Sequence, residues 1–159
     1  MDQKAKSDVL KMFTYGMFVL TSKSGEDISA STVTWVTQTS FNPPLIGVSL
    51  KVDSGPYEVV KETGKFVLHV VPRDGKLLAS KFFRRAQIED DKLNGIPFSI
   101  DESTHLPILE EFPAYLICEV REITEIGDHH MVIAEIIDAK IREKAEPILL
   151  RDTGWNYGG

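Results

Sequence analysis

A long β-hairpin in the second half of the chain limits the fold more than any other sequence feature. Residues 115–124 and 130–142 form two apolar-rich arms around a polar turn at residues 125–129. In the second arm, apolar residues recur at every other position and define one face, interrupted only by Glu135: Met131, Ile133, Ile137, Ala139 and Ile141. Such alternation indicates a β-strand. Two strands joined by a short turn predict an antiparallel sheet.

A second hairpin is predicted nearer the N-terminus. Residues 18–22 and 28–41 lie on either side of a polar connection that contains Gly25. The second arm is rich in Thr and Val, so we interpret it as one long strand that ends at Asn42-Pro43-Pro44. Residues 45–50 then form a nearly continuous apolar strand.

Three helices are expected beside these strands. Residues 3–13 carry apolar side chains three and four positions apart, which indicates an amphipathic helix. A second helix begins after Ser54, a candidate N-cap that is followed by Pro56, and ends at Gly64. Residues 75–83 are predicted as a third helix. Residues 84–112 are predicted to be mostly loop, and the tail from residue 149 shows no periodicity.

These elements predict a mainly β fold with flanking helices, an antiparallel barrel or sandwich. The 159 residues are expected to form a single domain, residues 1–159, with a core large enough to be stable without a disulfide or a metal. Cys118 is the only cysteine, which excludes an intramolecular disulfide and fits a reducing cytoplasm. The formal net charge of −6 disfavours nucleic acid as a partner. No segment predicts a signal peptide or a membrane span, so we expect no membrane partner.

Common catalytic motifs are absent from the sequence. It contains no GxGxxG motif or P-loop, no GxSxG motif of serine hydrolases and no HExxH motif of zinc proteases. His129 and His130 are adjacent, and adjacent strand residues face opposite sides, so they form a poor metal-binding pair. The sequence therefore indicates chemistry carried by an organic cofactor, and no metal site is expected.

The start of the second helix is a candidate anion site. A helix N-terminus offers backbone N–H groups and the positive end of the helix dipole. Ser54 adds a hydroxyl and Lys51 a positive charge. These groups suit the single phosphate of a mononucleotide such as FMN. The alternative is a capped helix beside a solvated lysine.

Two further segments are candidates for ligand contacts. Residues 32–41 combine hydroxyl and amide side chains with Trp35, which suits a flat ring with polar edges. The alternative is a plain Thr-rich strand. Asp128 and His129 in the hairpin turn suit a nicotinamide nucleotide, through a ribose hydroxyl and a carbonyl or diphosphate. The alternative is an exposed turn with an Asx interaction.

In this order along the chain, these segments resemble the flavin reductase-like family. The similarity covers residues 8–142 and rests on residues 31–51, Ser54, residues 91–97 and Gly127-Asp128-His129. The form of residues 35–38 is similar to the modules of this family that are fused to flavodiiron proteins and to rubredoxins. The resemblance implies an antiparallel split β-barrel that binds FMN.

The resemblance also implies roles for individual residues. The family lays the flavin ring and ribityl chain along the Thr-rich strand and holds the phosphate at the helix start. The cofactor-binding residues implied in this way are Thr34, Trp35, Val36, Thr37, Lys51 and Ser54, and Asp128 is implied to bind from the Gly-Asp-His turn. His129 is the candidate catalytic residue, in the turn near the nicotinamide donor. Many relatives have Asn-Ser-Phe-Thr-Ser at residues 34–38, so different atoms of this chain are expected at the ring edge.

The function expected from this resemblance is an FMN-binding NAD(P)H:flavin oxidoreductase. Hydride would pass from NADH or NADPH to the flavin, and electrons would pass on to free flavin or to a redox partner protein. The resemblance also implies a homodimer with the flavin near the subunit interface. Two alternatives remain: an FMN-containing electron carrier without its own nicotinamide site, and an oxidase of the pyridoxamine phosphate type, for which the additional basic residues cannot be placed.

The C-terminal tail carries two aromatic residues among glycines. Trp155 and Tyr157 lie between Gly154 and Gly159, where a regular helix or strand is disfavoured. One interpretation is a frayed end. The other is that the tail folds over the flavin groove or across the dimer partner, with Trp155 contacting the flavin.

Overall fold

Over residues 1–158, which the computed structural model describes, the chain forms two antiparallel sheets with four helices around them. Gly159, the last residue of the predicted domain and tail, lies outside the described residues. The helices are α1 (Gln3–Lys11), α2 (Gly55–Thr63), α3 (Lys76–Ser80) and α4 (Leu150–Thr153). The strands are β1 (Phe18–Ser24), β2 (Asp27–Val33), β3 (Val36–Ser40), β4 (Leu45–Lys51), β5 (Lys65–Val70), β6 (Ile88–Glu89), β7 (Lys92–Leu93), β8 (Ile96–Ile100), β9 (Pro107–Leu109), β10 (Ala114–Thr124) and β11 (His129–Ile141).

The larger sheet is curled into an open barrel. Its seven strands lie in the order β2-β1-β5-β10-β11-β4-β3. The two edge strands, β2 and β3, follow each other in sequence with only Thr34 and Trp35 between them. A connection this short spans roughly 11 Å at most, so the sheet must curl until its edges approach each other. This split barrel with flanking helices confirms the predicted fold class.

The prediction of one long strand over residues 28–41 is wrong, because the chain leaves β2 at Thr34. The Val36 N–H donates to the Thr34 carbonyl at 3.1 Å, which turns the backbone out of the strand. The Trp35 carbonyl then accepts from the Ser49 N–H at 3.0 Å. These two bonds pass the chain from β2 to a pairing with β4, so the predicted strand becomes two strands at opposite edges.

The hairpin of β10 and β11 is confirmed, whereas the single apolar face predicted for its second arm is wrong. The fully buried residues in this part of β11 are Val132 and Ala134, which lie between members of the predicted set. β11 also carries one extra residue opposite the step between Ile117 and Cys118. Such a bulge exchanges the two faces of a strand, so the residues before and after it do not share one side.

The helix predicted to follow Ser54 is α2, and it begins and ends where predicted. Ser54 is the N-cap of α2, and its Oγ accepts the Tyr57 N–H at 3.3 Å. Gly64 ends the helix with a φ of 68°, a left-handed conformation that favours glycine. The helix predicted near the N-terminus also forms as α1, although none of its residues is buried. α3 is shorter than predicted.

Residues 84–112 are mostly loop, as predicted, but they also contain the smaller sheet of β6, β7, β8 and β9, which was not predicted. These strands are two to five residues long, too short for a clear alternation in the sequence. Two buried side chains fasten β9 to the barrel. Thr21 Oγ1 donates to the Pro107 carbonyl at 2.6 Å, and His69 Nε2 accepts the Leu109 N–H at 3.0 Å. Among residues 1–158, no helix has the length and apolar character needed to cross a membrane.

Candidate functional site

A pocket of about 740 Å³ opens beside the connection between β2 and β3. The end of β4, the start of α2 and the C-terminal tail complete its walls. Its lining residues are Met17, Ser31, Thr32, Val33, Thr34, Trp35, Ser49, Leu50, Lys51, Ser54, Pro56, Phe82, Phe83, Leu150, Gly154, Trp155, Asn156 and Tyr157. Pockets of this size and mixed lining are typical of sites for small molecules and cofactors.

The connection between β2 and β3, whose two residues line this pocket, carries two buried polar atoms without partners. Thr34 is buried, and its Oγ1 has no hydrogen-bond partner among residues 1–158. The indole Nε1 of Trp35 is also buried and is likewise unpaired within the described part of the chain. A buried polar group left without a partner costs about 1–3 kcal/mol. Because both residues line the pocket, a ligand with polar groups would be a partner for these atoms.

The turn between β4 and α2 supplies the cationic side of the pocket. Ser54 Oγ accepts from the Tyr57 amide, which leaves the Ser54 hydroxyl hydrogen available to a ligand. Pro56 has no N–H, so the Gly55 amide is the donor that remains at the helix start. A side chain added at Gly55 would meet no atom within 4 Å, so the surface at this residue is open. With the exposed amine of Lys51, this turn suits one anionic group.

The tip of the β10–β11 hairpin lies against the same turn. His129 pairs with Lys51 across the sheet, and the Val52 N–H donates to the Asp128 carbonyl at 3.0 Å. The Asp128 carboxylate also accepts from Nδ1 of His129 at 2.9 Å, and this hydrogen bond lowers the pKa of Asp128. The candidate phosphate turn and the Gly-Asp-His turn, which are far apart in the sequence, thus form one site.

The C-terminal tail covers this site instead of fraying. The Tyr157 hydroxyl lies 2.7 Å from His129 Nε2. The Trp35 ring is 4.6 Å from the His129 ring and 5.4 Å from the Tyr157 ring, measured between centroids. Gly158 lies on the Trp35 indole so closely that a Cβ there would be 3.0 Å from it. Partial burial is the main cause of a raised pKa for Tyr157, so this phenol stays protonated at neutral pH.

Trp155 lies on the other wall of the pocket. Its ring packs edge-on against Phe83 at a centroid distance of 4.7 Å, and the Lys76 amine lies 5.0 Å from its centroid. The Trp155 amide donates to Thr153 Oγ1 at 3.0 Å. The short helix α4, which was not predicted, therefore leads directly into the tail residues that line the pocket.

The structure brings most of the predicted site residues together. Thr34, Trp35, Lys51, Ser54 and Trp155 line the pocket, and Asp128 and His129 lie beside it.

Val36 and Thr37 lie outside the pocket lining. Val36 packs against the barrel core, and Thr37 is exposed, with its hydroxyl donating to the Gln38 carbonyl at 3.4 Å. The turn at Thr34 is the cause, because it directs β3 into its pairing with β4 and out of the pocket lining. Their contacts with flavin stay a prediction.

The contact of Tyr157 with His129 and the position of Phe83 in the pocket wall were not predicted from the sequence. The aromatic tail signalled a role for Tyr157 but not its partner. Phe83 is the last residue of the helix predicted over residues 75–83. Spacing alone does not show whether an aromatic ring on the apolar face of a helix is buried in the core or exposed. His130, as expected, faces the other side, where Nδ1 lies 2.6 Å from the Tyr57 hydroxyl.

Comparisons with known proteins agree with this geometry. The sequence profile of the flavin reductase like domain matches residues 10–157. The chain is 30% identical over 150 residues to a high molecular weight rubredoxin of Moorella thermoacetica, covering 93% of this chain and 63% of that protein. It is 30% identical over 132 residues to diflavin flavoprotein A 1 of Synechocystis, covering 82% of this chain and 23% of that protein.

Solved structures show the same architecture. The structure of the styrene monooxygenase flavin reductase from Pseudomonas putida S12 superposes with a TM-score of 0.76 and 28% identity, over 91% of this chain and 90% of that one. The fold is therefore the split barrel of the flavin reductases. Because the domain profile covers nearly all of the sequence, the chain belongs to the flavin reductase-like family. It spans less than two thirds of the length of the rubredoxin and diflavin relatives.

Proposed function

We propose that this chain is an FMN-binding, NAD(P)H-dependent flavin oxidoreductase. The observation that carries the proposal is the meeting, in one pocket, of unpaired polar atoms on Thr34 and Trp35 with the anion-binding turn of Lys51 and Ser54. Oxidoreductase activity is supported by the family and by a flavin reductase of Pseudomonas putida, which is 27% identical over 95% of this chain.

The donors in the pocket fit one FMN molecule. The Ser54 hydroxyl, the Gly55 amide and the Lys51 amine would hold its phosphate. Thr34 and Trp35 would meet the polar edge of the ring, and Trp155 would cover part of its apolar surface. When bound, FMN supplies the hydride-accepting chemistry, so the protein needs to bind and orient rather than to provide an acid–base pair.

His129 would position the nicotinamide donor. Its two ring nitrogens are held by Asp128 and by Tyr157, so the orientation of the imidazole is fixed beside Trp35. Protein groups that orient two reactants contribute to rate by placing the reacting atoms close together. A nicotinamide that enters here would have to displace the Tyr157 ring or stack against it.

We expect NADH or NADPH to bleach the flavin absorbance of the FMN-loaded protein under anaerobic conditions. His129→Ala should retain FMN but be reduced more slowly at limiting donor, because the donor loses an orienting group. His105→Asn is a matched control, since His105 is exposed, has a φ of 60° that asparagine tolerates, and lies outside the pocket lining. Wild-type flavin that stays oxidised with both nucleotides, yet is reduced by dithionite, would contradict reductase activity.

That last outcome would support the second candidate function, an FMN electron carrier that is reduced by a partner protein. Two observations favour it. The rubredoxin and diflavin relatives match this chain over only part of their length. Tyr157 and Gly158 also lie directly on the Trp35 and His129 surface that a nicotinamide would use.

We also propose that two copies of the chain form a homodimer. Strand pairing with β4 ends at Glu135, and in the described part of the chain the second half of β11 then pairs with no strand other than β10, although the Ile136 N–H still donates to the Pro44 carbonyl. Ile137 and Ile141 are exposed on this part of β11. Phe41 is also exposed, in the neighbouring turn that contains Pro44. A free strand edge beside exposed apolar side chains is a common surface for association.

A further inference from the structure

Positive charge is concentrated in one segment of this acidic chain, residues 73–85. The segment holds five of the 18 basic residues and one of the 24 acidic residues, which gives it a net charge of +4. The rest of the chain, with 13 basic and 23 acidic residues, has a net charge of −10. The segment therefore differs in sign from the molecule that carries it.

Four cations of this segment are available to a partner. All four are exposed: Lys76, Lys81, Arg84 and Arg85. None of the salt bridges formed within residues 1–158 involves them, whereas Arg73 pairs with Glu146 at 2.6 Å. Cations without an ion-pair partner in their own chain favour association with a surface of opposite charge.

Exposed apolar side chains belong to the same segment. Leu77 is 78% exposed and Phe83 is 58% exposed. We refer to these two residues and the four available cations as the basic patch. Apolar contacts contribute affinity between proteins, and charged groups around them contribute orientation and association rate. The composition of the basic patch therefore suits a protein partner with carboxylates around an apolar contact.

The basic patch is fixed against the wall of the proposed flavin pocket. Thr32 lines that pocket, and its Oγ1 donates to the Ala79 carbonyl at 2.7 Å. Trp155 also lines the pocket, and its ring centroid is 4.7 Å from that of Phe83 and 5.0 Å from the Lys76 amine. Both ends of the segment thus meet at one pocket-lining side chain, so a protein bound to the patch would lie beside the pocket.

The charge of the whole molecule narrows the class of partner. A membrane or a long nucleic acid presents negative charge over a larger area than the patch, so it would also approach the part of the chain that carries −10. A small acidic protein can contact the patch alone. Its position beside the pocket suits electron exchange with a bound flavin.

We propose that the basic patch docks a small acidic redox protein that exchanges electrons with the flavin. The electron exchange rests on the proposed function, whereas the docking does not. In the forward direction, two electrons leave the reduced flavin, one to each of two oxidised partner molecules that have a one-electron centre. The proton that accompanied the hydride passes to solvent.

The test uses one haem protein in two charge forms. Cytochrome c is basic, and succinylation of its lysines makes it acidic while keeping the haem. Calorimetry measures the dissociation constants of both forms, with and without FMN, at low and high ionic strength. The chains compared are wild type, Lys76→Gln/Arg84→Gln and Lys76→Glu/Arg84→Glu. Lys6→Gln/Lys11→Gln is the control, because it removes the same charge from exposed positions of α1 outside the patch and the pocket lining.

We expect wild type to bind succinylated cytochrome c at low ionic strength and to lose this affinity in high salt. The Gln variant should bind it at least about tenfold more weakly, with FMN affinity unchanged, and the control should match wild type. After photochemical reduction of the bound FMN, the rate of haem reduction should follow the same order. The Glu variant should reduce native cytochrome c faster than wild type does, a gain that a folding defect cannot produce.

The remaining outcomes decide against the proposal or against one part of it. Unchanged binding of succinylated cytochrome c in both patch variants, or an equal loss in the control, would overturn the docking. An equal loss of FMN affinity would show that these cations hold the cofactor instead. Patch-dependent binding to phosphatidylserine vesicles but not to succinylated cytochrome c would assign the patch to a membrane.

The electron exchange and the proposed function are separated by the same measurements. Patch-dependent binding without haem reduction would uphold the docking and overturn the electron exchange. If wild type binds no flavin, the proposed function fails. Binding of succinylated cytochrome c to the flavin-free chain would still uphold the docking, and its absence would overturn it.

Discussion

His69 shows how one side chain couples the barrel to the smaller sheet. The ring is fully buried, with Nδ1 3.0 Å from the Val19 carbonyl and Nε2 accepting the Leu109 N–H. Since a carbonyl only accepts, Nδ1 carries the proton and the imidazole is neutral. Burial, with a smaller contribution from the charge of Arg142, lowers the pKa of His69 to about 3.

This pKa predicts a loss of stability in acid. The unfolded chain binds a proton near pH 6.5, whereas the folded chain does not until about pH 3. The contribution of His69 is therefore complete above pH 6.5, and the free energy of unfolding falls by about 1.4 kcal/mol per pH unit below it. Denaturant unfolding between pH 7 and pH 4 should show this extra slope in wild type relative to His69→Gln, whose amide does not titrate. Equal slopes, or a His69 ring signal that titrates near pH 6 by NMR, would contradict the assignment.

Helix boundaries could be predicted from the sequence where they depend only on residues of the same helix. The cap and end of α2 were predictable because Ser54 and Gly64 act on their own helix. The break at Thr34 was not, because it depends on the pairing of Trp35 with Ser49 in another strand. The same limit applies to the site: residue types indicated a phosphate turn and a His-Asp turn, but only the pairing of His129 with Lys51 joins them.

Removing the C-terminal tail tests whether its aromatic residues contribute to flavin binding in the pocket. Ending the chain at Asp152 removes Trp155, Asn156 and Tyr157 from the pocket and releases His129. Since an aromatic contact contributes about 0.5–1.5 kcal/mol, we expect FMN affinity to fall roughly 3- to 10-fold, while circular dichroism shows the barrel intact. Tyr157→Phe, which removes only the hydroxyl bonded to His129, should keep FMN affinity. A truncated protein with unchanged FMN binding, reduction rate and oligomeric state would make the tail a passive end.

For the whole molecule, the exposed end of β11 predicts self-association. Light scattering at micromolar concentration should give the mass of two chains for wild type. Ile137→Glu/Ile141→Glu should give that of one chain, because two carboxylates would have to be buried in the interface. Ile126→Glu is the control, since Ile126 is about as exposed as Ile141 but lies in the hairpin turn away from this edge. A monomeric wild type, or loss of the dimer in the control alone, would contradict this surface.

The central claim for the whole molecule is that the barrel holds a flavin by its phosphate at the start of α2. The most direct test measures the affinities of FMN and of riboflavin, which lacks the phosphate, for wild type and for Lys51→Ala/Ser54→Ala. Ser54→Asp separates the helix cap from the phosphate contact, because aspartate caps a helix but repels an anion. We predict that both variants weaken FMN at least about tenfold and leave riboflavin binding unchanged. Unchanged FMN affinity, or equal losses for FMN and riboflavin, would contradict the claim.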